Sequence, residues 1–180
     1  RAVSIWEASR TNGLKCLHTV SEMNSLGAMY GYITKLLDFV PDRHEGKVTG
    51  LSARGEPSEV SKLLSNAIHF NKENGEIETT YGDIYLPYMD ANLSVLEDMV
   101  KTIPKENFAY AAQTVLEKVL LEYLSFYLEK FYKGEKVNLC LSGGCAANVK
   151  LNFELSKISQ VKSLFPNIIS YENVLYEGCT

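Results

Sequence analysis

The stretch that decides the fold is Val137–Asn152, which reads VNLCLSGGCAANVKLN. Its first five residues, VNLCL, are mostly apolar and predict a short buried strand. Gly143-Gly144 follows, and apolar residues at helical spacing then predict a helix to about residue 158. A strand, a glycine turn and a helix in this order are typical of α/β domains.

The same unit is suited to binding an anion. The first N–H groups of a helix have no acceptor within the helix, and the helix dipole makes that end partly positive. Because Gly143 and Gly144 lack Cβ atoms, a phosphate or ribose can approach the backbone. Asn148, expected a little over one turn inside the helix, can donate and accept hydrogen bonds, and Asn152 lies on the same face. Glycines that only form a tight turn would give the same pattern, so both interpretations stay open.

Other glycine motifs do not fit this stretch. No Lys-Ser or Lys-Thr pair follows the glycines, which excludes a P-loop, and the GxGxxG pattern is absent. Ser142 precedes the glycines without a GxSxG pattern and without a nearby histidine, which argues against a serine hydrolase.

The rest of the chain alternates between strand and helix patterns. The alternation in residues 1–20 predicts a hairpin with a two-residue turn at Asn12-Gly13, and Asn74-Gly75 indicates a second hairpin. Helical spacing predicts the remaining elements. These are a helix after Asn24/Ser25 that ends by Pro41, a short helix from about Asp42, a helix after Pro57 with Ile68 on its inner face, a short helix from Leu93 to Val100, and a long buried-face helix over Lys105–Tyr132. Further strands are expected around Ile77, Ile84 and Leu86 and over Ile168–Tyr171.

Composition restricts the class of protein. The chain has 180 residues, of which 46% are hydrophobic, so we expect one domain with a full core. A net charge of -4 argues against bulk nucleic-acid binding, which needs a basic surface. No apolar stretch reaches the ~20 residues that cross a bilayer, so no membrane association is expected. The 4 cysteines form no CxxC pair, which favours reduced cysteines in a cytoplasmic protein over a zinc site.

Four segments, in order along the chain, resemble one enzyme family. They are NSLGAMYGYIT (24–34), HEGKVTGLSARGEP (44–57), YAAQ with Glu117 (110–117) and GGCAANVKLN (143–152). Each is similar to a segment of the nodulation-type O-carbamoyltransferases, in their N-terminal domain of the actin-like (ASKHA) type. Because the four blocks extend over nearly the whole chain, the resemblance is specific.

The resemblance implies a fold and an activity. The fold would be an actin-like ATPase (ribonuclease H-like) α/β fold with a mixed sheet flanked by helices, and residues 1–180 would form its second part within a protein longer at both ends. In that family, ATP and carbamoyl phosphate yield carbamoyladenylate at a separate C-terminal domain. The actin-like domain then transfers the carbamoyl group to the hydroxyl of a biosynthetic substrate. The chain alone would be inactive, and no catalytic nucleophile or base can be named.

The resemblance also implies site residues. Gly143, Gly144 and Asn148 would bind the adenine nucleotide, with Glu45, Lys47 and Asn152 as neighbours. For Glu45 and Lys47, the residues alone favour a solvated helix start, where an acidic side chain is stabilising. The family's histidine pair that holds a divalent metal, Mg or Fe, has no counterpart in this sequence. Glu177 stands where the family has its metal-binding aspartate, and a carboxylate there could still bind the ion.

Other functions compatible with this fold remain. The sister family that makes threonylcarbamoyladenosine in tRNA has a similar pattern, although the acidic charge and Asn152 argue against it. A sugar- or acetate-kinase-like enzyme would need a catalytic aspartate elsewhere. A non-enzymatic ATP-binding module would keep the site without the chemistry. The expected partners are adenine nucleotide, the carbamoyl phosphate-derived intermediate and a small hydroxyl acceptor, and the resemblance leaves room for a homodimer.

Overall fold

A computed structural model describes residues 1–80 and 94–166 of the chain. Within these ranges strands and helices are interspersed, and the strands form three separate two-stranded sheets instead of the single mixed sheet that was expected. The strands are β1 (Val3–Ser9), β2 (Gly13–Val20), β3 (Ile68–Asn71), β4 (Glu76–Thr79), β5 (Val137–Cys140) and β6 (Val161–Phe165). The helices are α1 (Leu26–Leu36), α2 (Glu45–Leu51), α3 (Glu59–Ala67), α4 (Ser94–Met99), α5 (Lys105–Tyr132) and α6 (Val149–Ser156). None of the helices described is both long enough and apolar enough to cross a membrane.

The long helix α5 forms the centre of the structure, with the bounds that its periodicity predicts. One side of it is buried along its length, from Phe108 to Leu128, and α1, α2, α3 and α6 pack against it. The helix ends at Tyr132, and the next residue, Lys133, caps it. Lys133 is left-handed (φ 46°), and its N–H donates to the Glu129 carbonyl. Phe108, Tyr123 and Tyr127 on this side are therefore core, as their spacing predicts, whereas Phe131, which the same spacing places in the core, is 36% exposed.

The first hairpin is confirmed, but its turn differs from the prediction. Strands β1 and β2 pair antiparallel, and the last pair is Ser9 with Gly13. Three residues therefore form the loop, and Gly13 takes the positive φ of 66°. The Ser9 hydroxyl accepts a hydrogen bond from the Asn12 N–H (2.9 Å) and closes this wider turn, so a two-residue Asn12-Gly13 turn was wrong.

The second hairpin, β3 with β4, turns at Asn74-Gly75 as predicted, with Gly75 at φ 79°. Helix α3 ends one residue earlier than the apolar pattern suggested. Ile68 is extended (φ -140°, ψ 123°) and buried as the first residue of β3. A fully buried position is apolar in either structure, so periodicity alone did not separate the helix end from the strand. The expected strand residues Ile84 and Leu86 lie outside the described residues.

The third pair is β5 with β6, which run parallel and are joined through α6. A parallel β–α–β connection of this kind confirms the α/β class. Strand β6 (Val161–Phe165) was not predicted from the sequence, and the predicted strand Ile168–Tyr171 lies outside the described residues. The carboxyl end of β5 leads directly into the two glycines.

Candidate active site

The glycine turn leaves open space beside its backbone. Gly143 has φ 99° and ψ 175°, a conformation available essentially to glycine alone. A single 3-10 turn, Gly144–Ala147, follows it. A Cβ built on Gly143 or on Gly144 would meet no heavy atom within 4 Å. The geometry thus keeps this stretch of backbone accessible.

The helix after the glycines begins later than predicted. Asn148 is extended (φ -78°, ψ 104°) and is the N-cap of α6, so its placement one turn inside the helix was wrong. Its Oδ1 accepts a hydrogen bond from the Leu151 N–H at 3.0 Å. Asparagine is among the strongest N-cap residues because its side chain satisfies a backbone donor that the helix cannot.

A buried pair of amides holds Asn148 in place. The Asn148 Nδ2 donates to Gln113 Oε1 at 2.9 Å, and the Gln113 Nε2 donates to Asn148 Oδ1 at 3.0 Å. Gln113 is only 2% exposed and lies on α5. The Gln113 Nε2 also donates to Glu117 Oε1, one turn further along the helix, at 2.7 Å. Side-chain hydrogen bonds therefore connect the segment that follows the two glycines to the central helix α5.

Two hydroxyl groups complete this network. The Tyr30 hydroxyl on α1 donates to Gln113 Oε1 at 2.8 Å and lies 2.9 Å from Thr49 Oγ1 on α2. Thr49 Oγ1 also accepts from Asn148 Nδ2 at 3.2 Å. Burial raises the pKa of Tyr30 to about 12, so its hydroxyl stays protonated and remains a donor at neutral pH.

The network brings together all four segments that carry the resemblance. Tyr30, Thr49, Gln113 and Asn148 come one from each segment. The sequence did not identify the first three as partners of the site. The available signal was a polar side chain among buried neighbours, as at Gln113, which lies between Ala112 and Val115 on the buried side of α5.

A comparison with protein-family models supports the resemblance of these four segments to carbamoyltransferases. A family model described as carbamoyltransferase N-terminus matches residues 4–169. The chain belongs to this family.

Two relatives of this chain are found in Methanocaldococcus jannaschii. The protein named uncharacterized protein MJ1058 is 33% identical over 142 residues, which are 78% of this chain and 22% of the relative. The protein named uncharacterized protein MJ1051 is 31% identical over 160 residues, 86% of this chain and 29% of the relative. The chain thus spans less than a third of the length of either relative.

The predicted neighbours Glu45 and Lys47 both lie on α2. Glu45 is the first residue of α2, where its Oε1 accepts from the Asp42 N–H at 2.7 Å. Burial raises the pKa of the Cys145 thiol, and the negative charge of Glu45 adds to the effect. Cys145, the residue after Gly144, therefore remains a thiol and is no ready nucleophile. The ammonium of Lys47 lies 5.7 Å from the centre of the Phe39 ring.

Asn152 and Lys150 both lie on α6, and their side chains form hydrogen bonds with different parts of the structure. The Asn152 Nδ2 donates back to the Ala146 carbonyl at 2.8 Å and so braces the 3-10 turn. Its Oδ1 is buried and has no hydrogen-bond partner within the described residues. The Lys150 ammonium donates to Ser52 Oγ at 3.2 Å, which links α6 to the end of α2. No pattern in the sequence indicated this contact of Lys150.

The metal site implied by the resemblance is not formed by the residues described. In the ranges 1–80 and 94–166, no three side chains of His, Cys, Asp or Glu come together in a way that could hold an ion. Glu177, the predicted ligand, lies outside these ranges. We therefore derive no chemical step through a metal.

Proposed function

We propose that this chain is the second part of an actin-like carbamoyltransferase domain of the nodulation type. In this proposal the Gly143–Gly144 turn binds the adenine nucleotide of carbamoyladenylate, and the domain transfers the carbamoyl group to a hydroxyl of a small biosynthetic substrate. The observation that carries it is the meeting of four distant segments at one glycine turn, in a chain that belongs to the carbamoyltransferase N-terminal family.

The chemistry of the turn supports nucleotide binding. Gly144 and Cys145 supply the first N–H groups of the 3-10 turn, which have no acceptor within it, and the Ala146 N–H already donates to the Gly143 carbonyl. The open space beside both glycines admits a phosphate or a ribose. Lys150 is a cation on α6, the helix that follows the turn, and phosphate oxygens accept strong hydrogen bonds from an ammonium.

The side chain of Asn148 already forms its full set of hydrogen bonds within the protein. Its Oδ1 accepts two hydrogen bonds and its Nδ2 donates two, all within the protein. An amide side chain has two donors and one oxygen with two lone pairs, so this capacity is fully used. A nucleotide contact by Asn148 stays a prediction, and it would have to replace one of these internal partners.

In the proposed transfer, the oxygen of the acceptor hydroxyl attacks the carbamoyl carbon. A new carbon–oxygen bond forms, and the bond between the carbamoyl carbon and the phosphate oxygen of the adenylate breaks, so that AMP leaves. The acceptor proton is released to solvent. The backbone N–H groups of the turn would stabilise the phosphate charge that develops on the leaving AMP.

The experiment that tests this proposal uses the full-length protein with ATP and carbamoyl phosphate labelled in the carbamoyl carbon. We measure release of pyrophosphate from ATP, which reports formation of the adenylate, and transfer of label to a panel of sugars and other polyhydroxyl compounds. The wild type should do both. The Gly144→Val variant should release pyrophosphate and fail to transfer label, because its side chain fills the space beside the turn. Gly31→Ala is the control, since a Cβ there also meets no heavy atom within 4 Å.

Two results would contradict the proposal. If the wild type bound ATP and released no pyrophosphate from it in the presence of carbamoyl phosphate, a non-enzymatic ATP-binding module would be favoured instead. If Gly144→Val transferred label as fast as Gly31→Ala, the glycine turn would not be the site of transfer.

A further inference from the structure

The orientation of the two buried amides is set from outside the pair. A carboxamide has an oxygen that accepts and a nitrogen that donates, and rotating it by half a turn exchanges them. The Gln113–Asn148 pair would keep two mutual hydrogen bonds if both side chains were rotated together. The pair alone therefore does not determine which way Asn148 faces.

Glu117 fixes one end of the pair. A carboxylate only accepts hydrogen bonds, so the group of Gln113 that faces Glu117 Oε1 at 2.7 Å must be the Nε2 donor. The Gln113 Oε1 is then directed toward Tyr30, whose protonated hydroxyl donates to it at 2.8 Å. A bond to a charged acceptor is stronger than a neutral one, which makes Glu117 the dominant influence on Gln113.

The backbone of α6 fixes the other end. The Leu151 N–H can only donate, so the atom of Asn148 that faces it at 3.0 Å must be Oδ1. The orientation that Glu117 imposes on Gln113 is the one that places Asn148 Oδ1 there. If both amides were rotated, the Asn148 Nδ2 would face the Leu151 N–H. Two donors form no hydrogen bond, so the helix would lose its N-cap.

We propose that Glu117 and Gln113 are positioning residues that fix the orientation of the Asn148 amide, and through it the start of α6 and the glycine turn. The chain of contacts runs from Glu117 Oε1 through Gln113 and Asn148 to the Leu151 N–H. Neither residue touches the ligand. The effect on nucleotide affinity rests on the proposed function, whereas the effect on the turn itself does not.

Removing the carboxylate should loosen the turn without unfolding the protein. Without the Glu117 carboxylate as acceptor, the rotated arrangement of the two amides comes close in free energy to the native one. The Leu151 N–H then loses its partner for part of the time. Asn148 is also the residue at which the 3-10 turn passes into α6, so the amides of residues 144–148 should open more often. Glu117 is only partly buried, which makes its replacement tolerable for the core.

The test is hydrogen exchange of backbone amides by NMR in Glu117→Gln and Glu117→Leu variants of the full chain. The matched controls are Glu122→Gln and Glu122→Leu, because Glu122 is also a partly buried glutamate of α5, paired with Lys72 at 3.4 Å away from the network. The Leu151 amide should exchange about tenfold faster in Glu117→Leu and a smaller factor faster in Glu117→Gln, while both controls match the wild type. The side-chain NH₂ signals of Gln113 and Asn148 should shift in the Glu117 variants alone.

A second measurement separates this inference from the proposed function. In an ATP titration, the variant whose Leu151 amide exchanges fastest should bind ATP most weakly. If the wild type bound no ATP but Leu151 exchange rose as expected, the proposed function would fail and the positioning role would stand. If Leu151 exchange were unchanged in Glu117→Leu, the positioning role would be overturned, whatever the ATP affinity. Global unfolding of both Glu117 variants with stable controls would also overturn it, since the role would then be general stability.

Discussion

Gly55 and Gly144 lie in two of the segments that resemble the carbamoyltransferases, and the structure uses them in opposite ways. A Cβ on Gly55 would overlap the Glu106 carbonyl oxygen and approach Tyr110 Cβ within 2.6 Å, whereas a Cβ on Gly144 would meet no heavy atom within 4 Å. The first glycine lets the chain pack closely against α5. The second leaves backbone uncovered. The comparison teaches that a glycine in a family pattern indicates a site only when the space beside it is open.

The largest effect is expected for Gly55→Ala. The new Cβ meets backbone and the base of a side chain on α5, neither of which can move without shifting the helix. We expect a loss of about 3 kcal/mol in the free energy of unfolding, the upper range for overpacking. Urea denaturation of the variant and the wild type measures it. A loss below ~1 kcal/mol would contradict the close packing at this position.

A second large effect is expected for Gln113→Leu. The change removes the shared partner of Tyr30, Asn148 and Glu117 and leaves buried polar groups unpaired. Because unsatisfied buried groups cost about 1–3 kcal/mol, we expect a loss of roughly 2–3 kcal/mol. Tyr30→Phe, which deletes a single hydroxyl of the network, should cost about 1 kcal/mol by the same measurement. Equal losses in the two variants would show that Gln113 is not the centre of the network.

A smaller effect is expected for Gly143→Ala. No atom blocks the new Cβ, but φ 99° is a conformation that a residue with a side chain rarely adopts. We expect a loss of about 1–2 kcal/mol, from backbone strain alone. Gly144→Ala, at a glycine without this constraint, should change stability by less than ~0.5 kcal/mol. Thermal unfolding of the two variants side by side gives the comparison, and equal losses would argue against a special backbone at Gly143.

Local rules predicted the elements of this fold well. The spacing of apolar residues gave the bounds of α5, and Ser25 caps α1 by accepting from the Ala28 N–H at 3.1 Å. The same rules failed at Ile68, which is buried whether it ends a helix or begins a strand. They also failed at Asn148, where one side chain interrupts an otherwise helical pattern to cap the next helix.

The site could be predicted only in part. Gly143 and Gly144 were found because a strand, two glycines and a helix are contiguous in sequence. The partners Thr49 and Gln113 are distant in sequence, and their pairing depends on how α2 and α5 pack, which no local pattern contains. The nucleotide-facing role of Glu45 stays a prediction that rests on the resemblance alone.

The most direct test of nucleotide binding at the glycine turn is a calorimetric titration of the full-length protein with ATP and Mg²⁺. The wild type, Gly144→Val and the control Gly31→Ala are compared after each is shown to be folded. The account predicts two ATP sites in the wild type and in Gly31→Ala, one in the separate C-terminal domain and one at the turn, and predicts that Gly144→Val binds ATP at least tenfold more weakly at one of them, a difference of about 1.4 kcal/mol or more. Equal affinity in all three proteins would contradict it and would place the nucleotide elsewhere.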